Sequence, residues 1–153
     1  MGSGSLMIHG MVAYDRCIFL SVIKERITGR VYVEHLKKTF ATLKERYRQY
    51  IFQQDNAPAH TCKLVNEFFV KEDITSLKWP AKSRDFNMEN IWHMLSEKVY
   101  SGRKFNNKND LTTSILDAKE YLIQHKKETI RGLFDNFKTR VTKVITNDGR
   151  LIN

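Results

Sequence analysis

Asp55 and Glu89 are the residues of this sequence best placed to do chemistry. Asp55 follows directly on Tyr50–Gln54 (YIFQQ), an apolar run that reads as a strand. A carboxylate at the C-terminal end of a strand faces the crevice where α/β sheets place their sites. Glu89 falls in the first turn of a helix predicted over Phe86–Tyr100, on which Met88, Ile91, Trp92, Leu95 and Val99 form one apolar stripe. Two carboxylates brought together by a fold make half of a Mg²⁺ site, because that ion takes oxygen ligands, uses few carboxylates and keeps waters. A pair of such ions activates an attacking hydroxyl and stabilises the leaving oxygen in phosphodiester cleavage. Each residue also has an ordinary alternative. An Asp after a strand caps a turn, and a Glu in a first helical turn meets the helix dipole.

The elements that must position the two acids follow from periodicity. Ser5–Tyr14 and Cys17–Ile23 are short, apolar and partly β-branched, and Asp15-Arg16 between them predicts a β-hairpin. Thr28-Gly29 opens a helix carrying Val33, Leu36, Phe40, Leu43 and Tyr47 at helical spacing. After Asp55 comes a loop with Pro58, then a short amphipathic helix marked by Leu64, Val65, Phe68 and Phe69. Ile74–Leu77 is a brief strand candidate, and Trp79-Pro80-Ala81 is a break. Beyond Tyr100 one helix carries Leu111, Ile115, Ala118 and Leu122 behind an Asn109/Asp110 cap. Another carries Ile130, Leu133, Phe134, Phe137, Val141 and Val144 behind Thr129. Strands followed by helices in this order predict an α/β chain with a helical C-terminal part. The 153 residues suffice for a single domain.

Charge says which partner to expect. Lys plus Arg number 26 against 17 Asp plus Glu, a formal +9, and the basic residues are spread through residues 24–48 and 103–143. Such a balance favours a polyanion bound on folded faces. No apolar run spans a membrane and the first residues lack a signal peptide's pattern, so an intracellular protein is expected. Cys17 and Cys62 belong to no metal-binding spacing and read as reduced thiols.

The context of the two acids is more specific. Gln53-Gln54-Asp55-Asn56-Ala57-Pro58-Ala59-His60, followed by Trp79-Pro80-Ala81-Lys82-Ser83-Arg84-Asp85-Phe86-Asn87 and Glu89-Asn90-Ile91-Trp92, resembles the mariner superfamily of DDE transposases. Gly4-Ser5-Leu6-Met7-Ile8-His9-Gly10 resembles that family's glycine-rich strand, so the resemblance covers nearly the whole chain. It implies a ribonuclease-H-like fold with a mixed sheet, and three acids that bind two divalent ions, Mg²⁺ or Mn²⁺. It also implies DNA cleavage and strand transfer in the nucleus. Asp55 matches the second acid and Glu89 the third, as catalytic residues and metal ligands. Asn56 and His60 are neighbours of the second acid. DNA is the implied partner, with a homodimer as a further one, and neither a membrane nor a small-molecule substrate is implied.

The match is incomplete in three places. The family's first acid lies on a central strand before the glycine-rich segment, where this sequence begins. Asp15 falls in the predicted hairpin turn and does not replace it. The family's Ser-Pro-Asp-Leu-Asn-Pro loop reads Ser83-Arg84-Asp85-Phe86-Asn87 here, without its prolines and one residue short, and one residue turns a helix by about 100°. Paired helix-turn-helix units are also absent. The expectation is therefore a single catalytic domain over residues 1–153 without its first strand, without a separate DNA-binding domain, and inactive in this form. The alternatives are a domesticated nucleic-acid-binding or dimerisation module, with Trp92, Phe134 and Phe137 as its surface, and a part of an intact transposase.

Overall fold

Two short strands open the described chain. A computed structural model describes residues 6–15, 18–78 and 89–147. In chain order its elements are β1 (Met7–Val12), β2 (Ile18–Ile23), α1 (Gly29–Arg46), α2 (Pro58–Thr61), α3 (Lys63–Lys71), α4 (Glu89–Tyr100), α5 (Lys108–His125), α6 (Lys127–Asp135) and α7 (Phe137–Thr146). They fall into two compact units, one of residues 1–22 and 84–153, the other of residues 23–83.

In the first unit β1 and β2 pair side by side, and a link this short can only join antiparallel strands. Asp15 lies in the turn, as the hairpin reading requires, and Tyr14, read as the end of the first strand, lies in the turn with it. The core joins Ile18 of the hairpin to Ile91, Leu95 and Val99 of α4, Ile115, Ala118 and Leu122 of α5, and Ile130 of α6. The predicted stripe on α4 is thus the buried one. Trp92 and Phe134 pack partly buried against this core. Gly10 is required by that packing: a Cβ there would run into the Trp92 ring and Leu20. Ser114 is buried and donates to the Val99 carbonyl at 3.3 Å, which pins α5 to the last turn of α4. Gly102, at φ 67°, adopts the left-handed backbone that ends α4.

The second unit is built on aromatic packing. α1 buries Val31, Tyr32, Val33, Leu36, Phe40 and Leu43 behind a Thr28 cap, whose hydroxyl accepts from the Val31 amide at 3.3 Å. Phe40 meets Phe52 edge-on at 5.1 Å, Phe52 meets Phe69 at 5.5 Å, and Phe68 lies tilted between Phe40 and Phe69. α3 ends in a Schellman turn, with Ile74 N–H bonded to the Phe69 carbonyl at 2.9 Å and Asp73 N–H to Val70 at 3.3 Å. Asp73 stands where glycine is usual, at φ 53°. The turn sends the chain back alongside Phe52.

Three expectations change. The strands expected at residues 50–54 and 74–77 shrink to one parallel bridge, Phe52 to Ser76. Extended apolar sequence predicts a strand, but a ladder also needs neighbours, and among the described residues only this pair is bridged outside the hairpin. The α5 cap is Asn107, which accepts from the Asp110 amide at 2.8 Å, two residues before the expected position. The last helix is two, because the chain breaks at Asn136. There Arg140 donates to the Leu133 carbonyl at 2.9 Å, satisfying an acceptor that the break frees. Met1–Ser5, Arg16-Cys17 and Trp79–Met88, with the shortened loop, lie outside the described residues.

We predict that Gly10→Ala costs about 1–3 kcal/mol of stability by overpacking against the indole. A Trp92→Leu second change recovers part of it, measured as urea midpoints. Equal losses in the single and the double variant would show that the ring is not the obstacle.

Candidate active site

Phe52 is the anchor from which the site is built. Its N–H donates to the Thr75 carbonyl at 2.9 Å, and its own carbonyl accepts from the Leu77 N–H at 2.8 Å. With its ring buried among Phe40 and Phe69, the backbone leading to Asp55 has a fixed direction. Asp55 then turns the chain. Its Oδ1 accepts from the Ala57 amide at 3.0 Å, a side-chain-closed turn two residues long. Pro58 starts the one-turn helix α2 at the position where a missing N–H costs nothing. α2 then delivers His60 back over Asp55.

His60 and Asp55 are paired. Nδ1 of the ring lies 2.6 Å from Asp55 Oδ1, the same oxygen that takes the Ala57 amide. The imidazole stacks on the Tyr32 ring, with centroids 4.1 Å apart and planes at 27°. Tyr32 is 2% exposed. Its hydroxyl donates to Gln54 Oε1 at 2.7 Å, and Gln54 Nε2 donates to the His60 carbonyl at 2.9 Å. The residue before Asp55 therefore holds the backbone of the residue paired with it. Burial, and then the Asp55 charge, push the Tyr32 phenol well above its ordinary range. At the neighbouring turn of α1, a Cβ on Gly29 would collide with Cys62 Sγ, so α1 starts close against the junction of α2 and α3. Cys62 is a free, half-buried thiol.

Asp55 fits one share of a hard-ion site. Among the described residues its contacts all fall on Oδ1, and the side chain is about half exposed, at 51%. Oδ2 remains as an oxygen donor beside solvent, as Mg²⁺ or Mn²⁺ coordination with retained waters requires. Glu89 is the first residue of α4, at the helix start as expected, and its side chain lies outside the described residues. It belongs to the other compact unit, so its partnership with Asp55 rests on the motif match. Among the described residues no group of three His, Cys, Asp or Glu side chains stands ready to hold a metal.

Comparisons with known proteins identify the family. A family model described as DDE superfamily endonuclease matches residues 2–112. The chain belongs to this family. Among curated relatives, the Tc3 transposable-element transposase of Caenorhabditis elegans is 26% identical over 99% of the chain and 46% of its own length. The Tcb2 transposase of Caenorhabditis briggsae is 28% identical over 97% of the chain and 54% of its own length. The chain spans about half the length of these relatives. The crystal structure of the Mos1 mariner transposase catalytic domain matches 97% of the chain and 76% of its own, with TM-score 0.74 and 19% identity. A Mos1 mariner paired-end complex with Mn matches 97% of the chain and 45% of its own, with TM-score 0.81 and 18% identity. The fold is thus that of the mariner catalytic domains, ribonuclease-H-like, as the motif blocks implied.

His60 and Tyr32 matter more to the setting of Asp55 than their sequence positions suggest. His60 reads in isolation as a surface or capping residue, and the apolar spacing read for α1 does not include Tyr32. The available signal was the spacing from Asp55 to His60 across Pro58, which a single helical turn closes.

A pH prediction follows for Tyr32. Its folded pKa lies above the unfolded value of about 10, so the stability it contributes is present below pH 10 and is lost as pH rises beyond it. Tyr32→Phe should cost about 1 kcal/mol at neutral pH by leaving Gln54 Oε1 without its donor. Its melting temperature should fall less between about pH 9 and 11 than that of the unaltered protein. Parallel pH profiles would count against the assignment.

Proposed function

We propose that this chain is the catalytic part of a Tc1/mariner-type transposase, acting on DNA in cut-and-paste transposition. In this reading Asp55 and Glu89 are the second and third metal-binding carboxylates. The observation that carries it is the pairing of the two motif blocks with the geometry at the first of them: one Asp55 oxygen is held by Ala57 and His60, and the other has no hydrogen-bond partner among the described residues. Mos1 catalytic-domain structures with Mn and with Mg support divalent-ion use in the family. A Mos1 paired-end complex with the left transposon end supports DNA as the partner. Bound at Asp55 and Glu89, the ion would supply the positive charge that favours a deprotonated attacking hydroxyl and a departing oxyanion.

The chain's own residues would do the remainder. Asp55 presents Oδ2, and His60 and Ala57 keep Oδ1 from rotating into its place. Exposed cations stand ready for phosphates on α1 (Arg30, Lys37, Lys38) and between α4 and α5 (Arg103, Lys104). A DNA substrate in a eukaryotic family assigns this work to the nucleus, and assembly of two copies on DNA belongs to the same proposal. Two of the three implied carboxylates lie within these 153 residues, so these residues alone are proposed to hold DNA without cutting it.

We predict that the 153-residue chain binds duplex DNA with little sequence preference. Its affinity should fall about 10³-fold between 50 and 200 mM salt if about six phosphates are neutralised. Plasmid nicking in Mg²⁺ or Mn²⁺ should stay at background. Nicking abolished by Asp55→Ala or Glu89→Ala would show that these residues cut by themselves. Absent or salt-insensitive DNA binding would sink the nucleic-acid role.

A further inference from the structure

We propose that His60 is a positioning residue for the Asp55 carboxylate, and that its Nδ1–H, rather than its bulk, sets the affinity of the site for a divalent ion. The inference rests on the reading of Asp55 as a metal ligand and goes beyond it by assigning the residue that orients that ligand.

Free rotation would make the two oxygens of an Asp side chain equivalent. At Asp55 they are not: Oδ1 is held at 2.6 Å by His60 Nδ1 and at 3.0 Å by the Ala57 amide. Two donors on one oxygen fix the plane of the carboxylate and direct the other oxygen outward. His60 can act as a fixed donor only if its own ring is fixed. Three contacts do this: the stack on buried Tyr32, the Tyr32 hydroxyl bond to Gln54, and the Gln54 amide bond to the His60 carbonyl. The cycle closes through adjacent residues, since Gln54 and Asp55 are neighbours. A carboxylate that accepts at Oδ1 calls for the proton on Nδ1, which leaves Nε2 as the second ring nitrogen. Donors that orient a ligand typically change metal affinity by about 10–100-fold.

The plain alternative is that His60 only staples the loop through its stack on Tyr32. Two variants separate the readings. His60→Phe keeps a ring against Tyr32 and removes the donor. His60→Asn removes the ring and retains an N–H near the position of Nδ1. The readout is Mn²⁺-induced broadening of the Asn56 and Ala57 amide signals in ¹H–¹⁵N spectra, titrated to an apparent Kd. The same spectra, recorded without metal, report whether each variant is folded. We expect His60→Phe to weaken Mn²⁺ binding by about 10–100-fold and His60→Asn to recover most of it. Unchanged affinity in His60→Phe overturns the proposal and leaves His60 a staple. Should the Phe variant not fold, His60→Ala against His60→Asn makes the same comparison, and equal affinities overturn it. Asp55→Asn separates the underlying reading. Broadening in the unaltered chain that survives Asp55→Asn, or no broadening at all, overturns both the ligand and the positioning roles. Loss on Asp55→Asn with no effect of His60→Phe overturns the positioning role alone.

Discussion

Tyr32 is buried to 2% exposure and still carries a hydroxyl, which must find an acceptor inside the protein. A buried polar group left unpaired costs about 1–3 kcal/mol, a sizeable part of a small domain's stability. The acceptor is Gln54 Oε1, at 2.7 Å, and this bond ties α1 to the segment that carries Asp55. Its consequences spread outward. Gln54, held at its oxygen, directs its nitrogen to the His60 carbonyl, and the Tyr32 ring gives the His60 ring a face to lie on. The close start of α1 against Cys62, which only a glycine at 29 permits, sets how near Tyr32 comes. The second unit therefore positions its carboxylate through a polar cycle mounted on an aromatic core.

The first unit holds α4 by different means. Its contacts are apolar and depend on shape: the indole of Trp92 fills the space that Gly10 leaves, and Ile91, Leu95 and Val99 bury the inner stripe. A buried polar tie joins Ser114 to the Val99 carbonyl at the far end of the helix. Glu89, at the start of α4, is thus mounted on a helix fixed along its inner face. Asp55 is positioned by hydrogen bonds at a turn, and Glu89 by the placement of a helix within its own unit.

Much of this was legible in the residues. Helical spacing located α1, α3, α4 and α5 because each buries one apolar face, and periodicity records burial directly. The hairpin was legible because Asp15-Arg16 interrupts two apolar, partly β-branched runs. The strand at Tyr50–Gln54 was not, since its extended backbone meets a single bridge at Phe52, and pairing is a property of neighbours remote in sequence. The break at Asn136 was hidden because apolar spacing continues across it. What makes it tolerable is the capture of the Leu133 carbonyl by Arg140, seven residues on. At the site, the motif blocks singled out Asp55 and Glu89. The spacing across Pro58 hinted at the pairing of His60 with Asp55, but what fixes His60 was not legible, because the Tyr32 ring comes from a helix position 28 residues earlier.

The ordinary reading of Asp55 is met directly in the structure, and the metal-ligand role proposed for it would use the same arrangement. An Asp after extended backbone was expected to close a turn, and it does so through Oδ1 and the Ala57 amide. A turn former needs only one oxygen. The pairing with His60 falls on that same oxygen, so both structural duties are concentrated on one side of the carboxylate. The other side carries none among the described residues, at a side chain about half exposed, 51%. A carboxylate used only for local structure has no need to keep its two oxygens so unequal. In the metal-ligand role proposed for Asp55 that inequality would help, because a ligand already held in place loses less freedom on binding. The turn fixes Oδ1 through two local partners, and the proposed role would use the oxygen that the turn does not.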